Sequence, residues 1–189
     1  MKKFPAPVLF ISALLTSAIV SAQINDKIDP GRFPIDVNSK LITYVEVIQV
    51  PGVPVKEIFS RGLKWFNTFY KNPTDVIRET DSLRGKIFGK ARFKIYNPAD
   101  KTGLKTEAGN VEYSITLNLK EGKFRYTITE INWKKASFYP VERWLDTTAL
   151  SYSKAYSFYL EQMDTQIHET VKNLETFMKT PPAKKNDDW

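Results

Sequence analysis

The chain has 189 residues, a formal charge of +7, a single histidine and no cysteine, so it can bury a full core but must hold it by packing alone. Those counts exclude thiol catalysis, thiolate zinc sites and iron–sulfur clusters. With His168 as the only imidazole, most histidine-based metal and acid–base constellations go too.

The N-terminus reads Met1-Lys2-Lys3, then an apolar run from Val8 to Val20, then Val20-Ser21-Ala22 before Gln23. That is the order of a secretory signal peptide cleaved between Ala22 and Gln23. The run is shorter than the roughly 20 residues that cross a bilayer, and Ser12, Thr16 and Ser17 interrupt it, so no transmembrane segment is expected in the mature chain. Residues 1–22 therefore imply an exported protein, periplasmic or extracellular. Such a location argues against nucleic acid as a partner.

Residues 23–39 are polar, carry Asp29-Pro30-Gly31 and Phe33-Pro34, and show no period, so they read as an irregular leader. Leu41 to Val50 is dense in β-branched and aromatic residues and stops at Pro51-Gly52, which predicts the first strand. From Val55 the period changes. Val55, Ile58, Phe59, Gly62, Leu63, Phe66, Phe69 and Tyr70 recur at three and four, while Lys56, Glu57, Ser60, Arg61 and Lys64 fill the polar side. An amphipathic helix follows, with Pro54 at its start and Asn72-Pro73 at its end. Gly62 costs it about 1 kcal/mol against alanine unless the helix lies close on a sheet there.

A short strand over Asp75–Thr80 and a longer one over Lys86–Tyr96 come next. Asn97 to Asn110 holds Pro98, Gly103 and Gly109 and reads as a loop. Two further strands, Val111–Lys120 and Lys123–Ile131, join at the short turn Glu121-Gly122. The connection from Asn132 to Leu150 contains Trp133, Phe138, Tyr139 and Trp144, too many large rings for a loose loop. From about Ser151 to Lys179 a long helix carries Ala155, Tyr159, Met163, Ile167, Val171 and Leu174 on one stripe and ends at Pro181-Pro182. Residues 181–189 are expected to be a mobile tail.

Residues 40–180 thus predict one α+β domain, an antiparallel sheet with a helix after strand one and a long C-terminal helix. Specific runs sharpen this: Ile42 to Gly52, Lys56-Glu57-Ile58-Phe59, Gly62 to Phe66, Asp75-Val76-Ile77, Gly85 to Lys90 and Gly122 to Thr129. Together they resemble domain-of-unknown-function family 4468 over roughly Leu41 to Ile131. The resemblance implies an exported bacterial protein with a TBP-like β-α-β4-α fold, and neither a catalytic residue nor a cofactor. It departs from the family pattern at Val53-Pro54-Val55, which stands in place of a Ser-Lys helix start.

Three constellations bear on function. His168 adjoins the stripe of the long helix beside Glu169, with Glu161, Asp164 and Lys172 at helical spacings. Without a second histidine or a positioned nucleophile it reads as structural, and no metal site is expected. Glu46 shares its parity with Tyr44 and Ile48, and Glu130 with Phe124, Tyr126 and Ile128, so both carboxylates are expected on apolar faces of neighbouring strands. Antiparallel pairing sets Glu46 opposite Tyr126 and Glu130 near Ile42, roughly 13 Å apart along the strand. That spacing favours separate edge roles over an acid–base pair. Lys86, Lys90, Arg92 and Lys94, with Phe88 and Tyr96 between them, project from one strand face as a candidate anion-binding face, with a merely solvated surface as the plainer account.

The leading expectation is a non-catalytic binding domain whose ligand is an anionic envelope component or an apolar small molecule held between sheet and long helix. The alternative is a carboxylate-dependent hydrolase using Glu46 or Glu130.

Overall fold

A period of two along β1 (Tyr44–Gln49), β3 (Lys86–Tyr96), β4 (Glu107–Lys120) and β5 (Lys123–Lys134) sends nearly all their large apolar side chains to one face. With β2 (Ile77–Asp81) and β6 (Phe138–Pro140), these strands form one antiparallel sheet in the order β1-β5-β4-β3-β2, with β6 paired to the far end of β5. The computed structural model describes residues 29–181. The expected signal peptide, its Ala22–Gln23 cleavage site and residues 182–189 of the tail lie outside the described residues.

Helices α1 (Val55–Phe69) and α3 (Ala155–Lys179) pack on the apolar face, and among the described residues the other face is bare. A Cβ added at Gly62 would stand 3.0 Å from Ile87 Cδ1 and 3.5 Å from Leu117 Cδ1, so α1 does lie tight on the sheet at that glycine. Its first turn lacks the usual side-chain cap on Pro54. Glu121 of the β4–β5 turn supplies one instead, Oε2 accepting from the Val55 amide at 2.9 Å.

Arg61, read as a polar-side residue, is buried, and so is Trp65. Both face α3. The Arg61 guanidinium donates to the Met178 carbonyl at 2.8 Å and to Glu57 at 3.1 Å, and Trp65 Nε1 donates to Asn173 Oδ1 at 2.8 Å. A cation among the last carbonyls of α3 also complements the dipole of that helix.

Three boundaries differ from expectation. Pro73 does more than end α1, because its fixed φ starts a helical turn, α2 (Pro73–Val76), and delays β2 to Ile77. β4 begins at Glu107, inside the expected loop, where Gly109 adopts a φ of 130° that side-chain-bearing residues avoid. β5 runs on to Lys134, and the chain returns as the three-residue β6, too short to show a period.

The last difference matters most for function. Glu112 pairs with Asn132 and Ser114 with Thr129, so Glu130 and Ile131 together oppose Tyr113. Glu130 takes a φ of 53°, the left-handed conformation of a bulge residue. Parity inverts there, burying Ile131 and exposing Glu130.

The ring-rich connection packs as expected. Trp144 is fully buried, 5.6 Å from the Trp133 ring and stacked at 5.7 Å on Tyr156. On α3, Tyr159, Met163, Ile167, Val171 and Leu174 are buried as predicted and Ala155 partly so, while Leu160, Thr170 and Met178 widen the buried face beyond the predicted stripe. The leader from residue 29 is irregular yet docked: Phe33 is buried, Ile35 bridges Ile42, and Arg32 pairs with Glu161 at 3.2 Å.

Candidate anion-binding face

Glu46 lies opposite Tyr126 as the register predicted, on the helix-covered side but exposed at the sheet edge, and accepts from the Tyr126 hydroxyl at 3.2 Å. Burial first, and then the Glu46 carboxylate, push the Tyr126 phenol above its ordinary range. The expectation for Glu130 is corrected: the bulge turns it to the bare face, where Oε2 accepts from Ser114 Oγ at 2.7 Å. The two carboxylates therefore stand on opposite sides of the sheet. No substrate could meet both, and a paired-carboxylate mechanism has no geometry here.

His168 is exposed, with Nδ1 2.9 Å from the Asp164 carbonyl oxygen and its ring edge-on to Tyr44. Asp164 is a structural hub. It accepts from the Tyr44 hydroxyl at 2.6 Å and pairs with Arg32 at 3.7 Å, which ties leader, β1 and α3 together. Burial and this carboxylate raise the Tyr44 phenol, so it holds its proton across the whole neutral range. Among the described residues, no group of three or more His, Asp and Glu side chains converges on a metal-sized site.

Lys86, Lys90, Arg92 and Lys94 all occupy the bare face, as alternation required. Neighbouring strands bring acids to them. Lys86 meets Glu79 of β2 at 2.8 Å, Lys94 meets Glu107 of β4 at 2.6 Å, and Lys90 lies 3.9 Å from Glu130 of β5. Arg92 sits opposite Glu112, which also takes Lys134 at 3.5 Å. The hydrogen bond it donates to Glu107 holds the Lys94 ammonium above its usual range. Exposed pairs of this kind add little to stability, but they cancel charge locally.

More cations gather one end along, and among the described residues only Arg84 of that group pairs with a carboxylate. Lys120 and Lys123 face each other in the register where β4 turns into β5, although like charges directly opposite are unfavourable. With Arg125 and Arg84 they surround a surface cleft of about 310 Å³, also lined by Val47 and Asn118 and by no carboxylate. Arg125 is held by Asn118 at 3.2 Å and Arg84 approaches Asp81 at 3.6 Å. Lys120, Lys123 and Arg125 fall in the predicted strands on either side of the Glu121-Gly122 turn, but Arg84 reaches them only through the fold.

The other main clefts also open at the surface: one between β3 and α3, one between the C-terminal part of α3 and α1, and one of about 430 Å³ beside α2 and β3, where Lys90 and Arg92 stand with Lys71, Arg78, Asp75 and Glu112. The α3 stripe packs against the sheet, and beside it Phe93, Tyr96 and Phe158 line the open cleft between β3 and α3.

An antiparallel sheet with α1 following β1, a long closing helix and one uncovered face defines a TBP-like α+β domain. Residues 44–134 match the family model described as "Domain of unknown function (DUF4468) with TBP-like fold", so the resemblance read from the sequence holds. A crystal structure of a DUF4468 family protein from Bacteroides ovatus superposes with a TM-score of 0.64 at 16% identity, covering 84% of this chain and 99% of that one. A TBP-like protein from Parabacteroides distasonis gives a TM-score of 0.48 at 14% identity, over 74% of this chain and 97% of its own. No curated protein matches. No described helix is long and apolar enough to cross a membrane.

Proposed function

We propose that this is a non-catalytic binding domain of an exported protein, which engages an anionic envelope component through the bare face and end of its sheet. The observation that carries the reading is that both main helices cover the same face, leaving a second face that presents cations on β3, β4 and β5. The separation of Glu46 from Glu130 speaks against hydrolysis by paired carboxylates. The Lys2-Lys3 start and the Ala22–Gln23 junction support export.

Two measurements test it. Protein isolated from its producing host should begin at Gln23 by mass spectrometry, and an intact Met1 overturns export. The same protein should be retained on acidic polysaccharide or acidic vesicles at low salt and released as salt shortens the screening length to about 8 Å at physiological strength. Absence of any salt-sensitive retention overturns the binding reading.

A further inference from the structure

We infer that the end of the sheet formed by the β2–β3 turn and the β4–β5 hairpin docks on the surface of an anionic lipid bilayer, which rests on the reading above and names its partner. The two turns are fastened side by side. The Leu119 amide donates to the Gly85 carbonyl at 2.7 Å, and Gly85 lies so close that a Cβ there would stand 2.4 Å from the Leu119 carbonyl oxygen. Arg84 and its neighbour Leu83 are thereby set beside Lys120 and Lys123.

Leu83 is 98% exposed at the tip of a turn that the Arg84 amide closes onto Asp81 Oδ1 at 2.9 Å. A leucine on a polar turn contributes nothing to the core. Val47, 49% exposed on the bare face of β1, adds an apolar wall to the cleft. Apolar side chains that enter the head-group layer, ringed by cations at the level of the phosphates, are the composition of an interfacial membrane surface. The cleft of about 310 Å³ among Arg84, Lys120, Lys123 and Arg125 has room for a head-group phosphate. A polysaccharide or acidic peptide would use the same cations but gain nothing from Leu83. Each Lys or Arg brought to an anionic bilayer strengthens binding about fivefold.

Because the chain contains no cysteine, Leu83→Cys accepts a single environment-sensitive fluorophore, and Leu150→Cys, equally exposed in the connection before α3, serves as control. The label reports its own position whatever else of the full chain touches lipid. With vesicles of phosphatidylglycerol and phosphatidylcholine the Leu83 label should shift to the blue while the Leu150 label stays in water, and phosphatidylcholine alone should move neither. Lys123→Glu with Arg125→Glu should weaken vesicle binding more than about tenfold, and Lys90→Glu with Arg92→Glu distinctly less, with unchanged circular dichroism for both. If the Leu83 label stays in water while acidic vesicles or polysaccharide still bind, this docking surface is overturned and the broader reading stands. If nothing anionic binds at all, both fall.

Discussion

Ile167→Ala should remove about 2–5 kcal/mol of stability, and Glu169→Ala less than about 0.5 kcal/mol. Ile167 is 1% exposed midway along the α3 stripe, between Met163 and Val171, whereas Glu169 points to solvent. The helix has 25 residues, no side-chain N-cap and no acidic residue in its first turn, so tertiary packing is what holds it. Truncating Ile167 deletes buried methyl groups and leaves a cavity that rigid neighbours fill only in part. For a domain of this size the loss corresponds to a fall in melting temperature on the order of ten degrees. Equal effects of the two substitutions in a denaturant titration would mean that α3 presents a different face.

Gly85→Ala is the second large effect, and it acts through backbone. Gly85 has a φ of 61°, which costs a side-chain-bearing residue about 1–2 kcal/mol. The new Cβ also meets the Leu119 carbonyl oxygen at 2.4 Å, an atom of a central strand that cannot rotate aside, and the displacement strains the Leu119–Gly85 hydrogen bond. Overpacking of that kind costs about 1–3 kcal/mol more. Gly52→Ala is the natural comparison, because Gly52 has a φ of 75° and open space around its Cα. It should show the conformational part alone, and equal losses at both positions would show that the turn yields.

Local periodicity carried most of the fold in the sequence. Strand alternation placed the four β3 cations on one face, and the spacing of apolar residues gave the centre line of the α3 stripe, though not the buried Leu160 and Thr170 that flank it. What failed was whatever depends on a partner element. Arg61 looked polar because α1 was read against the sheet alone, and only the docking of α3 gives that helix a second buried side. Glu130 was assigned to the wrong face because parity counting cannot see a bulge, which depends on the register with β4. The acids that neutralise Lys86, Lys90 and Lys94 come from three different strands, so no local pattern announces them. Lys120, Lys123 and Arg125 were visible in sequence as charges, but their isolation from carboxylates is a property of the folded surface.

Pairing between β2 and β3 stops at Gly89, so the rest of β3, from Lys90 to Tyr96, borders no strand on that side among the described residues. Its last residue is finished by a side chain. Gln162 of α3 donates from Nε2 to the Tyr96 carbonyl at 2.9 Å and accepts at Oε1 from the Tyr96 amide at 3.0 Å, the two bonds that a neighbouring strand would offer. A carboxamide can satisfy one residue but cannot continue a ladder. The Tyr96 end of that edge is thereby capped, with charged Arg92 and Lys94 beside it as deterrents to strand addition. At that corner one side chain does the guarding that a barrel achieves by closing its sheet.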